Sequence, residues 1–212
     1  MARYGRWSIW ILLPLLISIV CTGRSAAEGY IAGQVGVNFA DRLTAVHGTG
    51  NLQSVSAPDF DLQNAVAYGG KLGYFPNNGS FGIELDASNS TPHIKNLGDA
   101  PGIHMRVTNV GVNLLLRYPG QTFQPYVGLG GGALIAHIDD SPANGSVSDS
   151  DVAAAFNALT GIRAFVTPYV AVFSEYKYTQ GTLVFDRAFP PGGGFSGDYR
   201  AQQLVVGVSY HF

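Results

Sequence analysis

Charged side chains recur at alternate positions within otherwise apolar segments of this 212-residue chain. Glu84 and Asp86, for example, alternate with Ile83 and Leu85, so the two kinds of side chain project from opposite faces of an extended strand. Charges that leave water must pair with opposite charges. The pattern therefore predicts a buried ion-pair network, and a gated path for ions along it is the functional alternative. The predicted members are Lys71, Glu84, Asp86, Arg117, Arg163, Glu175 and Lys177, of which Glu84, Arg163, Glu175 and Lys177 are the principal ones.

Histidines are the next candidates for chemistry, because imidazole activates a serine hydroxyl when a carboxylate orients it. The nearest approximations to such a set are Ser90 with His93, and His137 beside Asp139 and Asp140. Histidines with ordinary titration at loop rims are the commoner occurrence. We therefore predict no catalytic residue and no enzymatic activity. The five histidines are His47, His93, His104, His137 and His211.

Acidic residues cluster in two predicted loops, and loops on a rigid scaffold often carry recognition. The segment Asp149-Ser150-Asp151 offers oxygen ligands to a hard cation such as Ca²⁺, but its spacing differs from that of known calcium loops. A solvated acidic loop is expected, and neither a metal nor a cofactor is predicted. Asp59, Phe60 and Asp61 form the second group of exposed features.

The first 27 residues predict a cleaved secretory signal. Arg3 and Arg6 precede an apolar run from Ile9 to Val20, which is too short to cross a hydrocarbon core as a helix. Cys21, the single cysteine, lies in this segment. Without its three arginines the chain keeps 12 − 3 = 9 basic residues against 14 acidic ones, a net charge of −5. Nucleic acid is therefore not an expected partner.

The charged positions need strands to hold them, and residues 28–212 contain eight alternating segments joined by long and short connections in turn. We predict a single all-β domain over these residues. The predicted strands cover about 30–39, 65–75, 81–88, 104–118, 125–137, 156–166, 170–178 and 200–212. The predicted long loops cover about 40–62, 89–103, 138–153 and 179–199.

The last strand carries the most specific pattern. Its alternate residues are all apolar and end on an aromatic ring, in the series Leu204, Val206, Val208, Tyr210 and Phe212. This series resembles the C-terminal assembly signal of outer-membrane β-barrels. The glycine-rich run from Tyr126 to Gly132 is similar to a strand common in the OmpA-like group, where inward glycines leave room for large neighbours. The chain thus resembles the small eight-stranded outer-membrane barrel family.

The resemblance implies a transmembrane, antiparallel, up-and-down β-barrel in the outer membrane of a Gram-negative cell. Its implied partners are outer-membrane lipid, lipopolysaccharide and the barrel assembly machinery, and its implied state is a monomer. The implied role is structural, or surface interaction through four long extracellular loops whose ligand stays open. Relatives also include channels and lipid A-modifying enzymes, so a small gated ion or solute channel and an enzyme remain alternatives.

Alternation alone does not say which face of the strands points outward. A secreted, soluble ligand-binding barrel would turn the apolar face inward, around its ligand. The low share of charged residues, 12%, and the alternation of long and short connections favour the membrane. An interfacial girdle is predicted from the aromatic residues beside the short turns, Tyr74, Phe75, Phe81, Tyr118, Tyr126, Phe165, Tyr169, Tyr210 and Phe212.

Overall fold

The computed structural model describes residues 27–50, 60–61, 63–76, 79–92, 104–139, 148–189 and 193–212. Its regular elements in these ranges are strands. They are β1 Glu28–Gly50, β2 Phe60–Asp61, β3 Ala65–Phe75, β4 Phe81–Ser90, β5 His104–Arg117, β6 Phe123–Asp139, β7 Ser148–Phe165, β8 Val170–Phe189 and β9 Gly193–His211. No helix within the described ranges is long and apolar enough to cross a membrane.

Eight of these strands close into an antiparallel barrel, and β2 adds a two-residue pair beside β1. Each long strand pairs with the next one along the chain, and β9 returns to β1 with Val206 opposite Val35. Closure pairs the strand edges that an open sheet would expose. The predicted fold class, an eight-stranded antiparallel barrel, is confirmed.

The apolar face of each alternating strand points away from the barrel axis. Leu114 and Val206 are 68% and 54% exposed, whereas Glu84 and Glu175 are each 1% exposed. This orientation excludes the soluble carrier, whose apolar face would line its ligand cavity. On β9 the outward apolar run covers residues 204–212, which matches the roughly 9–11 residues that a tilted strand needs to cross a bilayer.

Four strands continue well beyond this apolar band. β1, β7, β8 and β9 contain 23, 18, 20 and 19 residues. The prediction of long loops over 40–62, 138–153 and 179–199 was therefore wrong for much of their length, because these residues pair as strands. We call this extension the crown, and its described residues are 40–50, 60–61, 104–108, 134–139, 148–154, 180–189 and 193–202.

The crown consists of two facing sheets. Ala155 and Gly181 are the last paired residues of β7 and β8 on the crown side, and the two strands separate above them. There the Asp151 carboxylate accepts the backbone N–H of Val184 at 2.8 Å. One sheet therefore comes from β5, β6 and β7, and the other comes from β8, β9 and β1.

β1 enters the crown through two irregularities in its pairing with β9. One lies between Ala40 and Leu43, and the other lies between Thr44 and His47. Ala45, inside the second, has φ 52°. This left-handed conformation is one that β-bulges use and that glycine adopts with less strain.

Inward glycines let large side chains fill the narrow lumen. A Cβ at Gly73 would overlap the ring of Tyr30, and a Cβ at Gly128 would overlap the side chains of Leu115 and Leu159. The role that the sequence suggested for inner glycines of β6 therefore holds at Gly128. Without these glycines the ring of Tyr30 could not reach the centre of the barrel.

Candidate functional site

Lys71 lies at the centre of a buried ionic cluster inside the barrel. Its ammonium is 2.7 Å from a carboxylate oxygen of Glu175, 3.0 Å from one of Glu84 and 3.2 Å from one of Asp86. Lys71 lies opposite Asp86 in the β3–β4 pair, which also holds Glu84, whereas barrel closure brings Glu175 of β8 to them. The side chains are between 0% and 3% exposed. One lysine thus serves three carboxylates that water does not reach.

A second lysine and two tyrosines complete this ionic cluster. Lys177 is 3.1 Å from Asp86 and donates to the Ser88 hydroxyl at 3.0 Å. The hydroxyls of Tyr30 and Tyr126 donate to Glu84 and Glu175 at 2.5 and 2.9 Å. Each carboxylate therefore has a cation and, for the two glutamates, a phenol as partners. Such satisfaction is what permits charges to remain in a low-dielectric interior.

The short-turn end of the lumen holds a second ion pair that the sequence analysis missed. Glu28 binds the Arg117 guanidinium at 2.6 Å and the His211 ring nitrogen Nδ1 at 2.6 Å. Arg117 also donates to the Gly79 carbonyl and to Gln124. Glu28 was overlooked because it stands at the first residue of β1, before the alternation is visible.

Arg163, a principal member of the network predicted from the sequence, contacts the Lys71 cluster through the two tyrosine rings. Its guanidinium carbon is 4.2 Å from the ring centre of Tyr30 and 5.4 Å from that of Tyr126. Cation–π contacts of this kind favour a guanidinium that is shielded from water. Lys71 lies between Glu84 and Glu175.

With Glu28 included, the formal charges of the lumen balance. The sequence had offered four basic residues and three acidic ones, which left one cation without a counter-charge. The described lumen contains four of each sign. They are Lys71, Arg117, Arg163 and Lys177 against Glu28, Glu84, Asp86 and Glu175.

A layer of amides and hydroxyls lies on the crown side of the ionic cluster. Asn38 donates to Ser90 and Tyr199, and Asn109 donates to Asn157 and Thr179. A residual cavity of about 10 Å³ adjoins this layer. That volume is at the lower limit for one water molecule. Side chains therefore occupy nearly all of this level of the lumen.

The crown interior is apolar. Leu183 and Phe185 of β8 pack with Phe195 and Tyr199 of β9 and with Leu134 of β6. The exterior at the same level is mixed, because Thr182, Arg200 and Gln202 face outward there together with the exposed apolar side chains of Ile135, Val152 and Val184. The whole apolar cluster contains Val46, Met105, Val107, Leu134, Ala136, Ile138, Ala155, Leu183, Phe185, Phe195, Tyr199 and Ala201.

Ser209, His211 and Glu28 form a hydrogen-bonded chain with the order of a catalytic triad. The Ser209 hydroxyl lies 2.8 Å from His211 Nε2, and His211 Nδ1 lies 2.6 Å from Glu28. Glu28 and His211 are 183 positions apart, so sequence spacing gave no signal for this set. Ser209 is 0% exposed, however, so a substrate cannot reach its hydroxyl in this conformation. The arrangement links β1 to β9 at the seam of the barrel.

The structure describes only part of the two histidine sets considered from the sequence, and the side chain of Asp139 lies outside the described part. His93 and Asp140 lie outside the described residues, whereas Ser90 accepts a hydrogen bond from Asn38 inside the lumen. His137 lies on β6, across from Ser150 of β7.

The acidic segment 149–151 belongs to β7 and not to a loop. The Asp149 carboxylate accepts the Ser150 backbone N–H, while Asp151 binds the backbone of β8. Within the described ranges, no group of three or more His, Cys, Asp or Glu side chains is arranged to hold a metal ion. Of the other predicted loop group, Phe60 and Asp61 form β2, and Asp59 lies outside the described residues.

The aromatic girdle needs three corrections, of which one is Phe165, whose partly buried ring lies on the inward phase of β7, 4.7 Å from the ring of His211. Phe75 and Tyr126 are 0% and 5% exposed, because they point into the lumen. The outward members at the short-turn end include Tyr74, Phe81 and Tyr118, which are half-exposed or more. The predicted assembly signal lies on the outer face of β9, within its apolar band. Its exposed members are Leu204, Val206, Val208, Tyr210 and Phe212.

A closed barrel with an apolar outer band and a polar, charge-paired interior defines an integral membrane barrel. The family model described as "Outer membrane protein beta-barrel domain" matches residues 12–212. The chain therefore belongs to the outer-membrane β-barrel family and is an integral protein of the outer membrane. None of the curated proteins matches this chain.

Solved structures of outer-membrane proteins share the fold. OprG from Pseudomonas aeruginosa has a TM-score of 0.67 at 17% identity, covering 90% of this chain and 98% of its own. Neisserial surface protein A has a TM-score of 0.53 at 16% identity, covering 90% and 100%. A major outer-membrane protein from Thermus thermophilus has a TM-score of 0.50 at 11% identity, covering 88% and 99%. Identities this low establish the common fold alone.

Proposed function

We propose that this protein is a filled, non-conducting outer-membrane barrel that anchors a rigid β-crown on the cell surface, where the crown and its loops serve surface interaction. Short turns of outer-membrane barrels face the periplasm and long connections face outward, which supports an extracellular crown. The proposal keeps the structural role expected from the sequence, but it assigns the exposed surface to paired strands as well as loops.

The observation that carries the proposal is the filling of the lumen at two successive levels. Lys71 and its three carboxylates occupy the middle of the barrel, and Leu183 and Phe185 occupy the crown above it. An ion passing through would have to break the charge pairs and then cross an apolar core. The first step is costly because it leaves buried charges without their partners, and the second is costly because the ion loses its hydration in apolar surroundings.

Planar bilayer recording of the refolded protein tests the filled lumen. We expect no unitary current steps. A small gated ion channel is the alternative, and the polar lower lumen is the observation that favours it. Unitary steps that change in size in a Lys71→Gln variant would establish that alternative and overturn the proposal.

Cysteine labelling of intact cells tests the location of the crown. Ser150 is exposed on the outer face of β7, whereas Leu183 is buried inside the crown. A membrane-impermeant maleimide should label Ser150→Cys and leave the matched Leu183→Cys variant unlabelled. Labelling of Ser150→Cys only after the outer membrane is opened would place the crown in the periplasm and contradict the proposal.

A further inference from the structure

Two arginines stand at equivalent positions just beyond the outer apolar band. On β5 the outward residues run Arg106, Thr108 and Val110, and on β9 they run Arg200, Gln202 and Leu204. In each strand the guanidinium is therefore four residues from the first large apolar side chain of the band. β5 and β9 are four strands apart in the ring of eight, so the two arginines lie on opposite sides of the barrel.

Both arginine side chains are exposed, and neither guanidinium forms an ion pair or hydrogen bond with another residue in the described part of the chain. Arg106 lies across from His137, and Arg200 lies across from Gln180. The nearest outward acid on β9 is Asp198, whose carboxylate accepts a hydrogen bond from Thr182. The guanidinium groups are thus available to a group outside the protein.

Their height corresponds to a lipid headgroup. The intervening outward residue on each strand separates the arginine from the band edge, and four residues of a tilted strand rise roughly 10 Å. An arginine side chain that turns back toward the band brings its guanidinium within the headgroup layer, which is about 5–8 Å thick on each side. At this depth a guanidinium meets the phosphates of membrane lipids.

The opposite border of the barrel has no comparable charge. Among the described turn residues, 79–80, 118–122 and 166–169, none is charged. Tyr118 and Tyr169 are exposed there instead. The guanidinium groups therefore match only the outer leaflet, in which lipopolysaccharide carries its phosphates. Arginine binds phosphate through a planar set of donors and keeps its charge at all physiological pH values.

We infer that Arg106 and Arg200 bind the phosphates of lipopolysaccharide at two sites on opposite sides of the barrel. The inference rests on the proposed extracellular position of the crown. Lipopolysaccharide held at two opposed points would fix the depth of the barrel and the height of the crown above the membrane.

Binding of diphosphorylated lipid A to the refolded protein in neutral detergent tests the inference. Near a membrane surface one basic residue contributes about a fivefold change in affinity. Arg106→Gln and Arg200→Gln should therefore each weaken binding at one of the two sites about fivefold and leave the other site unchanged, and the double variant should weaken both sites about fivefold. Asp198→Asn, a matched change of opposite sign on the same face, should not weaken it. Heat-modifiable migration on gels confirms that each variant is folded.

Three results would overturn the inference. They are unchanged affinity of the double variant, equal affinity for lipid A without phosphates, and equal competition by phosphatidylglycerol micelles, which would reveal general attraction to anions. The bilayer recording is independent of these measurements. If the double variant binds lipid A with unchanged affinity and the barrel conducts no ions, the two lipopolysaccharide sites are rejected and the filled-barrel proposal stands.

Discussion

The lower lumen encloses charges within a wall whose outer face is apolar, whereas the crown encloses apolar side chains within a wall whose outer face mixes polar and apolar residues. β8 crosses both regions with inward residues that change from Glu175 and Lys177 to Leu183 and Phe185. The outer environment explains the difference. Lipid accepts the apolar side chains of the lower wall, so polar groups remain inside, whereas water surrounds the crown and drives its apolar groups inward.

This contrast shows that the inward residues of one continuous strand can be charged where lipid surrounds the wall and apolar where water surrounds it. The lower lumen is specified by pairing of charges, which depends on every partner being present. The crown is specified by apolar packing, which resembles the core of a soluble β-sandwich. Substitutions in the two regions should therefore differ in how much stability they cost, and in whether they destabilise the whole barrel or the crown alone.

The largest effect is expected from removal of the central cation. Lys71→Ala leaves Glu84 and Glu175 buried without it, and breaking a buried pair costs about 3–5 kcal/mol of unfolding free energy. Urea unfolding followed by heat-modifiable migration measures the loss. A triple variant, Lys71→Met with Glu84→Gln and Glu175→Gln, should recover most of it. Full stability of Lys71→Ala would contradict the charge-pairing account of the lower lumen.

A truncation in the crown should act locally. Leu183→Ala removes a buried side chain from the apolar cluster and should cost about 2–5 kcal/mol in the crown. Protease cleavage of the crown on intact cells should rise, while heat-modifiable migration of the barrel stays unchanged. The adjacent outward change Val184→Ala is the control and should leave cleavage unaltered. Equal cleavage of the two variants would show that the crown has no packed core.

Glycine substitutions distinguish the inner surface from the outer one. A Cβ at Gly73 overlaps the Tyr30 ring, whereas a Cβ at outward Gly33 meets no described atom within 4 Å. Gly73→Ala should therefore cost about 1–3 kcal/mol through overpacking, and Gly33→Ala should be close to neutral. Urea unfolding midpoints measure both changes. A larger loss for Gly33→Ala would reverse the assignment of faces.

The smallest effect is expected at Ala45, in the irregularity of the β1–β9 pairing between Thr44 and His47. Ala45 has a φ of 52°, where a Cβ costs about 1–2 kcal/mol. Ala45→Gly should raise crown stability by about 1 kcal/mol or less, because the greater chain entropy of glycine offsets part of the gain. Slower proteolysis of the crown on intact cells would reveal this gain in crown stability. Ala45→Val should have the opposite sign, and a common sign for both variants would exclude backbone strain.

Part of the crown could have been read from the sequence. In β9 the apolar residues Phe195, Tyr199 and Ala201 have odd numbers, whereas those of the apolar band, from Leu204 onward, have even numbers. Such a change of parity indicates that apolar side chains pass from one face of a strand to the other. We had predicted a loop over residues 179–199 because glycine and proline residues at 190–194 obscured the alternation on both sides.

The sequence by itself determined the two alternating faces of each barrel strand, the barrel class and seven of the eight lumen charges, because alternation depends only on the period of a strand. Tertiary structure decided which charges pair, since Lys71, Glu84 and Glu175 meet only when β3, β4 and β8 share one lumen. It also brought Glu28 of β1 to Arg117 of β5 across the lumen. Contacts between residues distant in the chain depend on register and closure, and no local pattern encodes them.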